Sequence, residues 1–483
     1  KAVYDSTDPK LTPVFQELSV GEGTGRLIVM QVYPGLPPYT DTSGQGTIRI
    51  GKDCQPLTGT MRRKIMIETG ETDFTGTEIP EPLESLISPS AMEKLREAAA
   101  REKAPDDLLR QTDRDLLGAV GLIRRGRLLR AGLFLAGTNE AIRQYFPGYV
   151  WTHLRMSSDT DYTDRADGNE AIPVALERIL DRIMADNPIT TLKQGLFHFE
   201  IRTYPEIALR EVLLNALVHS DYRIPGPILV KQFKGRLEIS NPGGLPGGIT
   251  PENILRHEPV PRNPALVDAL TRLRLVNRSN LGVRRMYQAL LMEGKEPPTI
   301  LDEGNAVRVI FRATPLSPSI RTFVAEESDR GRLLPLEHLL IIQHLLRHPE
   351  LDTATAARIT QQSENDAREM LSRMESELGY LERGGTGRGT YWILRRDLHR
   401  RFSDIKHSER DLRIDWEAAK TRVLSVLIER QKRGKSGLSN EEIRQITHFD
   451  RNQSRRLILE LINENKKIKQ MGKRRWVRYE YFL

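Results

Sequence analysis

Cysteine is almost missing from this chain: one residue, Cys54, in 483. A single thiol excludes an internal disulfide framework and a cysteine-based zinc site, and it suits a reducing, cytoplasmic setting. Cys54 itself reads as a small packed or partly exposed residue. No apolar run approaches the roughly 18 residues of a membrane span, and no secretory signal pattern is present. The full phosphate-binding signature G-x-x-x-x-G-K-[ST] and the nucleophile elbow G-x-S-x-G are both missing. Among the histidines only His344 and His348 stand at the H-x-x-x-H spacing, on a helix where surface residues are the expectation. The first residue is Lys1 and not Met, and the text reads as if it begins inside a domain; a preceding segment is expected.

What is present is an ordinary globular composition, 38% hydrophobic and 29% charged, in a chain long enough for several domains. The net charge of +8 is unevenly placed. Residues 451–478 hold ten Lys or Arg against Glu460 and Glu464, so this stretch alone carries the whole excess. Local basicity of this kind points to a polyanion-binding end.

Along the chain, residues 1–80 read as short strands with turns, including RLIVMQVYPG and GQGTIRIG. GEGTG at 21–25 precedes a strand and is read as a hairpin loop, not a phosphate loop. Pro80, Pro82 and Pro89 mark a linker. Helices dominate 90–190 (AMEKLREAAAREK, DRDLLGAVGLI, PVALERILDRIMAD), with LLRAGLFLAG read as an apolar strand among them. From 190 to 315 strands alternate with a helix at 206–220, with further helices near 264–274 and 281–293; the closing strand NAVRVIFRA puts Val307, Val309 and Phe311 on one face. The pattern predicts a mixed-sheet α/β sandwich within an α/β multidomain protein. After a second linker at 315–334 come two similar units, 335–402 and 414–483. Each has a long helix, a short helix, a turn, a third helix and a terminal β-hairpin, which is the winged-helix order. Ser439 and Asp450 are candidate N-caps.

One short stretch, LREVLLNALVHSDY at 209–222, sets Glu211, Asn215 and His219 four residues apart. At 3.6 residues per turn they form one stripe, with apolar residues on both flanks. Buried polar groups need partners. The stripe can supply them itself, as a core feature, or it can face a ligand. Favouring the ligand, the strand GRLEIS runs into NPGGLPGG at 241–248, four glycines in eight residues, and SNLGVRRM follows at 279–286. Glycine turns let backbone approach a ligand and offer N–H groups to phosphate.

Taken together, REVLLNALVHSDY, LEISNPGGLPGGIT, PRNPALVDAL and LGVRRM resemble a family of bacterial and archaeal transcriptional regulators. That family joins a Schlafen/Alba-like N-terminal domain to a divergent GHKL-type ATP-binding domain and C-terminal winged helices. AGLFLAGTNEAIRQYFPG and GQGTIRIGKDCQPL are similar to its connecting region and to the end of its first domain. The resemblance implies the C-terminal part of a Schlafen/Alba-like domain at 1–80, a connecting region at 90–190 and the ATP-binding domain at 190–315. It implies ATP with Mg2+: Asn215 holding the magnesium that bridges the phosphates, Glu211 orienting or deprotonating water, and His219 one turn further along. Gly243, Gly244 and Gly247 would line the base, with Asn241 at the adenine-contacting position and Gly282 in the second glycine loop. The sequence departs from the GHKL pattern twice. Glu238, Asn241 and Pro242 stand where an Asp is usual, and Ser279-Asn280-Leu281-Gly282-Val283 has one glycine where two or more are usual.

The function expected is a DNA-binding, ATP-responsive regulator, with duplex DNA and an adenine nucleotide as partners, no membrane, and a homodimer or higher oligomer as the assembly. On the last long helix, which starts near Arg451, itself a DNA-binding candidate, Asn452, Gln453, Arg455 and Arg456 are the base-reading candidates. Lys473, Arg474, Arg475 and Arg478 on the hairpin are the phosphate contacts. An alternative is an ATPase of low turnover or a nuclease-type effector whose catalytic part precedes Lys1. A third reading makes the two terminal units a dimerisation platform.

Overall fold

The computed structural model describes residues 2–8, 13–19, 26–31, 39–50, 53–59, 73–194, 197–276, 281–313, 317–348, 350–384 and 390–402. Towards the C-terminus it describes 416, 419–420, 423–424, 426–428, 430–431, 437–447, 449, 451–471 and 477–482. The chain is a mixed α/β protein that divides into two units. One comprises Lys1–Ile189, Arg202–Met286 and Pro298–Ala313; the other comprises Thr190–Ile201, Tyr287–Pro297 and Thr314–Leu483.

The first unit is built on a six-stranded sheet. In spatial order its strands are Tyr162–Gly168, Trp151–Met156, Ile228–Gln232, Arg236–Pro242, Ala306–Arg312 and Thr299–Asp302. Every neighbouring pair is antiparallel except Trp151–Met156 with Ile228–Gln232, which run parallel. Parallel neighbours need a long crossover. Here the crossover contains the helices Ile172–Ala185 and Glu206–His219. Alternation sets the covered face: Ile228, Val230 and Gln232 on one strand and Leu237, Ile239 and Asn241 on the next are buried, while the residues between them, up to Ser240, are half-buried. The expected face of Val307, Val309 and Phe311 holds by register, since these pair with Asn241, Ile239 and Leu237.

A polar relay pins the Ile172–Ala185 helix to this face. Arg182 donates to His153 Nδ1 (3.4 Å), His153 Nε2 lies 2.9 Å from Gln232 Oε1, and Gln232 donates to the Ile183 carbonyl (3.1 Å). His153 is fully buried, and burial lowers its pKa, so it is a neutral link in that chain. The same unit holds an aromatic cluster. Phe134 stacks on Phe146 (4.0 Å) and on Tyr222 (3.9 Å), with Tyr149 edge-on at 5.4 Å.

Three stretches differ from the sequence expectation. LLRAGLFLAG holds a helix, Arg130–Ala136, whose residues from Ala131 onward are all buried. An apolar run buried on every side has no period to distinguish helix from strand. Two strands, Trp151–Met156 and Tyr162–Gly168, lie within the region expected to be mainly helical. The 315–334 linker contains the helix Pro318–Asp329, capped by Ser317. The GEGTG loop and Asp450 lie outside the described residues; the strands flanking that loop, Val14–Ser19 and Arg26–Gln31, pair as an antiparallel hairpin.

In the second unit, helices Leu336–Leu345, Thr353–Thr360 and Glu364–Ser376 precede a hairpin of Leu381–Gly384 with Tyr391–Leu394. Further on, Asn440–Thr447 and Arg451–Glu464 precede a hairpin of Ile468–Met471 with Arg478–Tyr481, which Leu438–Ser439 extends to three strands. Ser439 and Glu442 cap the first of these helices reciprocally (Ser439 N–H to Glu442, 2.8 Å; Glu442 N–H to Ser439, 3.2 Å). The two third helices share one burial register. Ala367, Met370, Leu371 and Met374 are inside in the first, and Ser454, Leu457, Ile458 and Leu461 in the second.

The aromatic cluster gives a stability test. Phe134 is fully buried between two stacked rings. Phe134→Ala should cost about 3–5 kcal/mol in urea unfolding of the intact chain, in the range for truncating a buried aromatic. A loss below roughly 1 kcal/mol, the level of a surface change, would show that the cluster is not part of the cooperative core.

Candidate functional site

The Glu206–His219 helix begins without a side-chain cap and buries Leu209, Val212, Leu213, Ala216 and Leu217. Glu211, Asn215 and His219 remain half-buried along one line. Facing the first of them is Gly282, in the opening turn of the helix Leu281–Leu291. A Cβ at Gly282 would stand 2.7 Å from Glu211 Oε2 and 4.0 Å from Asn215 Nδ2. Glycine is what permits this approach. Of the expected second glycine loop, Ser279 and Asn280 lie outside the described residues, and the chain from Leu281 onward is helical. Burial raises the pKa of Glu211, and the Arg285 guanidinium at 4.0 Å pulls against that rise.

The other end of the stripe meets the first glycine loop. Asp221, two residues past His219, donates its backbone N–H to the Pro242 carbonyl (2.9 Å). Gly243 has φ +88°, a conformation that favours glycine, and a Cβ there would lie 2.8 Å from Asp221 Cβ. At Gly244 a Cβ would strike the Gly304 carbonyl (2.7 Å) and Asp302 (2.8 Å); at Gly247, with φ +61°, it would strike Val260 (2.8 Å). Asn241 is buried on the helix-facing side and donates its amide to the Pro242 carbonyl (3.2 Å). The two glycine segments therefore reach opposite ends of one stripe. Eight residues separate those ends, about 12 Å along a helix.

Three residues not singled out from sequence organise this place. Asn263 donates to the Val218 and Ser220 carbonyls (2.8 and 2.9 Å) and so satisfies the end of the stripe helix. Arg262 donates to Asp221 (3.2 Å) and to the Gly244 carbonyl (2.5 Å). Asp221 also accepts both arms of Arg223 (2.8 and 3.0 Å). Burial pushes the Asp221 carboxyl up, but Arg223 and then Arg262 outweigh it, and its pKa ends below the ordinary value. His219 is half-buried by area yet crowded by protein. Burial first, and the Arg262 charge second, hold its pKa down to about 4, so it is neutral at physiological pH.

At the basic end, Arg451, Asn452, Gln453, Arg455 and Arg456 are all exposed on the first two turns of the Arg451–Glu464 helix. Arg456 is partly engaged, donating to Glu460 (3.0 Å) and lying 5.3 Å over the Trp416 ring. Arg478 donates to the Gly437 carbonyl (2.9 Å), which ties its guanidinium to the chain just before the strand Leu438–Ser439. Lys473, Arg474 and Arg475 lie outside the described residues.

Comparison with known proteins bears on part of this arrangement. Residues 226–311 match the family described as "Putative ATP-dependent DNA helicase recG C-terminal", an ATPase-type domain. The match takes in the glycines 243, 244, 247 and 282 but stops short of the Glu211–Asn215–His219 stripe. Residues 65–152 match a domain of unknown function. No curated protein matches the chain. A crystal structure of the DIP2311 protein from Corynebacterium diphtheriae shares the fold. Its TM-score is 0.64 at 20% identity, over 99% of this chain and 82% of that one. Among the described residues no helix is long and apolar enough to cross a membrane.

The low pKa of His219 has a signed consequence. With a folded value of about 4 against 6.5 unfolded, the unfolded chain takes up this proton first as pH falls. The contribution of His219 to stability is therefore nil above pH 6.5, turns unfavourable between 6.5 and 4, and levels off below. The difference in unfolding free energy between wild type and His219→Gln, followed by urea titration, should be flat above pH 7 and fall between pH 6.5 and 4. A difference that stays flat over that range would show that His219 is not held neutral.

Proposed function

We propose that this chain binds a magnesium–adenine nucleotide at the Glu211–Asn215–His219 stripe and duplex DNA at its basic end, as an ATP-responsive transcriptional regulator. The observation that carries the first half is the pairing of two glycine segments with opposite ends of one half-buried carboxylate–amide–imidazole stripe. The ATPase-type match over 226–311 supports it. Asn215, with an uncharged oxygen and an amide beside Gly282, suits a hard cation held chiefly by phosphates. That cation would supply charge neutralisation at the phosphates. Asn241, buried beside the first loop, takes the place of the base-reading residue. Asp221 is already engaged by two arginines.

Glu211 also favours a second reading, an ATPase acting on nucleic acid. A carboxylate with a raised pKa, within reach of both Gly282 and Asn215, suits a proton acceptor for water. Hydrolysis is separable from binding by experiment.

For the DNA half, we read the two terminal units as winged helices. The support is charge placement. The first turn of Arg451–Glu464 contains no acidic residue and begins with Arg451. The matching turn in the first of the two terminal units has Glu364 and Asp366. A basic first turn becomes favourable when an anion lies against it. The second of the two terminal units is thus assigned to DNA, with Asn452, Gln453 and Arg455 towards base edges and Arg451 towards phosphate. The first of them is assigned to orientation or self-association.

Isothermal calorimetry with ATP, ADP and a non-hydrolysable analogue, with and without Mg2+, tests the nucleotide half. Asn215→Ala should remove the magnesium-dependent part of the affinity and leave the fold intact, whereas Glu211→Gln should bind nearly as wild type and lose any turnover. No heat with any of the three ligands would end the nucleotide reading. For DNA, fluorescence anisotropy against salt should show the log–log slope flattening by roughly 0.9 for each phosphate contact removed. Arg451→Ala with Arg455→Ala should weaken every duplex, and Gln453→Ala should relax sequence preference. An unchanged affinity and slope in the double variant would move DNA binding elsewhere on the chain.

A further inference from the structure

We infer that Val260, Arg262 and Asn263 form a clasp that pre-orders the first glycine loop, with Arg262 as its positioning residue; this rests on the nucleotide reading. A loop of glycines has little order of its own. Gly243, Gly247 and Gly248 all sit at positive φ (+88°, +61° and +80°), and glycine loses more conformational freedom on ordering than any other residue. Something outside the loop must hold its shape.

Residues 260–263 lie along both structures that need aligning. Val260 packs under Gly247, where a Cβ would come within 2.8 Å of its side chain. Arg262 reaches the loop at Gly244, whose carbonyl it takes at 2.5 Å, and the residue two past the stripe helix, Asp221, at 3.2 Å. Asn263 closes on the helix end through Val218 and Ser220. From the far side, Asp302 accepts the Leu245 N–H (3.3 Å) and limits the loop in the other direction. Arg262 is only 7% exposed and Asp221 6% exposed, so their pairing occurs largely out of water.

A buried ion pair is weak evidence of added stability, since desolvation offsets much of the attraction; its best-supported use is to specify one arrangement among several. Arginine is the residue able to do this here. Its planar fork serves a carboxylate and a carbonyl at once, whereas the single ammonium of lysine does not match that geometry. If the loop is ordered before ligand arrives, apparent affinity rises in proportion to the ordered fraction, and losing the clasp lowers it by the same factor.

The experiment uses the full chain, a fluorescent adenine nucleotide with Mg2+, and hydrogen exchange over 243–250. Arg262→Ala should bind about tenfold more weakly, chiefly through a slower on-rate, and lose exchange protection in the loop while 209–217 stays protected. Arg262→Lys should fall between, and it keeps the test alive if the alanine variant does not fold. Arg223→Ala, which removes a partner of Asp221 but none of the loop, should bind within about twofold of wild type. Wild-type affinity and loop protection in both Arg262 variants would overturn the inference. If the wild type binds no nucleotide, the nucleotide reading fails, and loop exchange alone decides the clasp: protection lost in Arg262→Lys upholds it, and protection kept overturns it.

Discussion

A helix that is apolar on both flanks of a polar line must find partners for that line, and this requirement organises the first unit. Glu211, Asn215 and His219 cannot turn to bulk solvent without exposing the leucines beside them. What the fold brings to the line is backbone without side chains. Gly282 stands at one end, and Gly243 and Gly244, behind Asp221, stand at the other. The sheet beneath fixes the distance between them, because the first loop leaves the strand Arg236–Pro242 and the stripe helix lies within the crossover covering the same face.

The stripe was legible because helical periodicity is local: three polar residues at spacing four are visible in a single short stretch. The glycine segments were legible for the same reason. The residues that connect these parts were not. Asp221 and Arg262 are 41 positions apart, and Leu245 and Asp302 are 57 apart. No local pattern announces a guanidinium that will be buried against a carbonyl. The signals that existed were faint: an Asp two residues after the stripe, and an Arg-Asn pair between Pro261 and Pro264.

Secondary structure failed where local pattern lost its meaning. The Arg130–Ala136 helix is buried all round, so its alternation carries no information. The edge strand Tyr162–Gly168 is largely exposed, with three charged residues in seven (Asp164, Arg165 and Asp167), and it lacks the apolar alternation that marks a strand. The helix Pro318–Asp329 sits in a stretch whose proline and serine content reads as linker. There Pro318 and Ser317 serve as first residue and cap, two roles in which such residues begin a helix.

The shared burial register of the two third helices separates what these units must keep from what they are free to vary. Interior positions 367, 370, 371 and 374 correspond one for one with 454, 457, 458 and 461. The outward positions differ freely: Glu364 stands against Arg451, Asp366 against Gln453 and Glu369 against Arg456. Exposed substitutions on such a scaffold change stability by only a few tenths of a kcal/mol. One core can therefore carry two unrelated surfaces in the same molecule. The outer face is an independent layer, which can change, or be transplanted from one unit to the other, while the interior stays as it was.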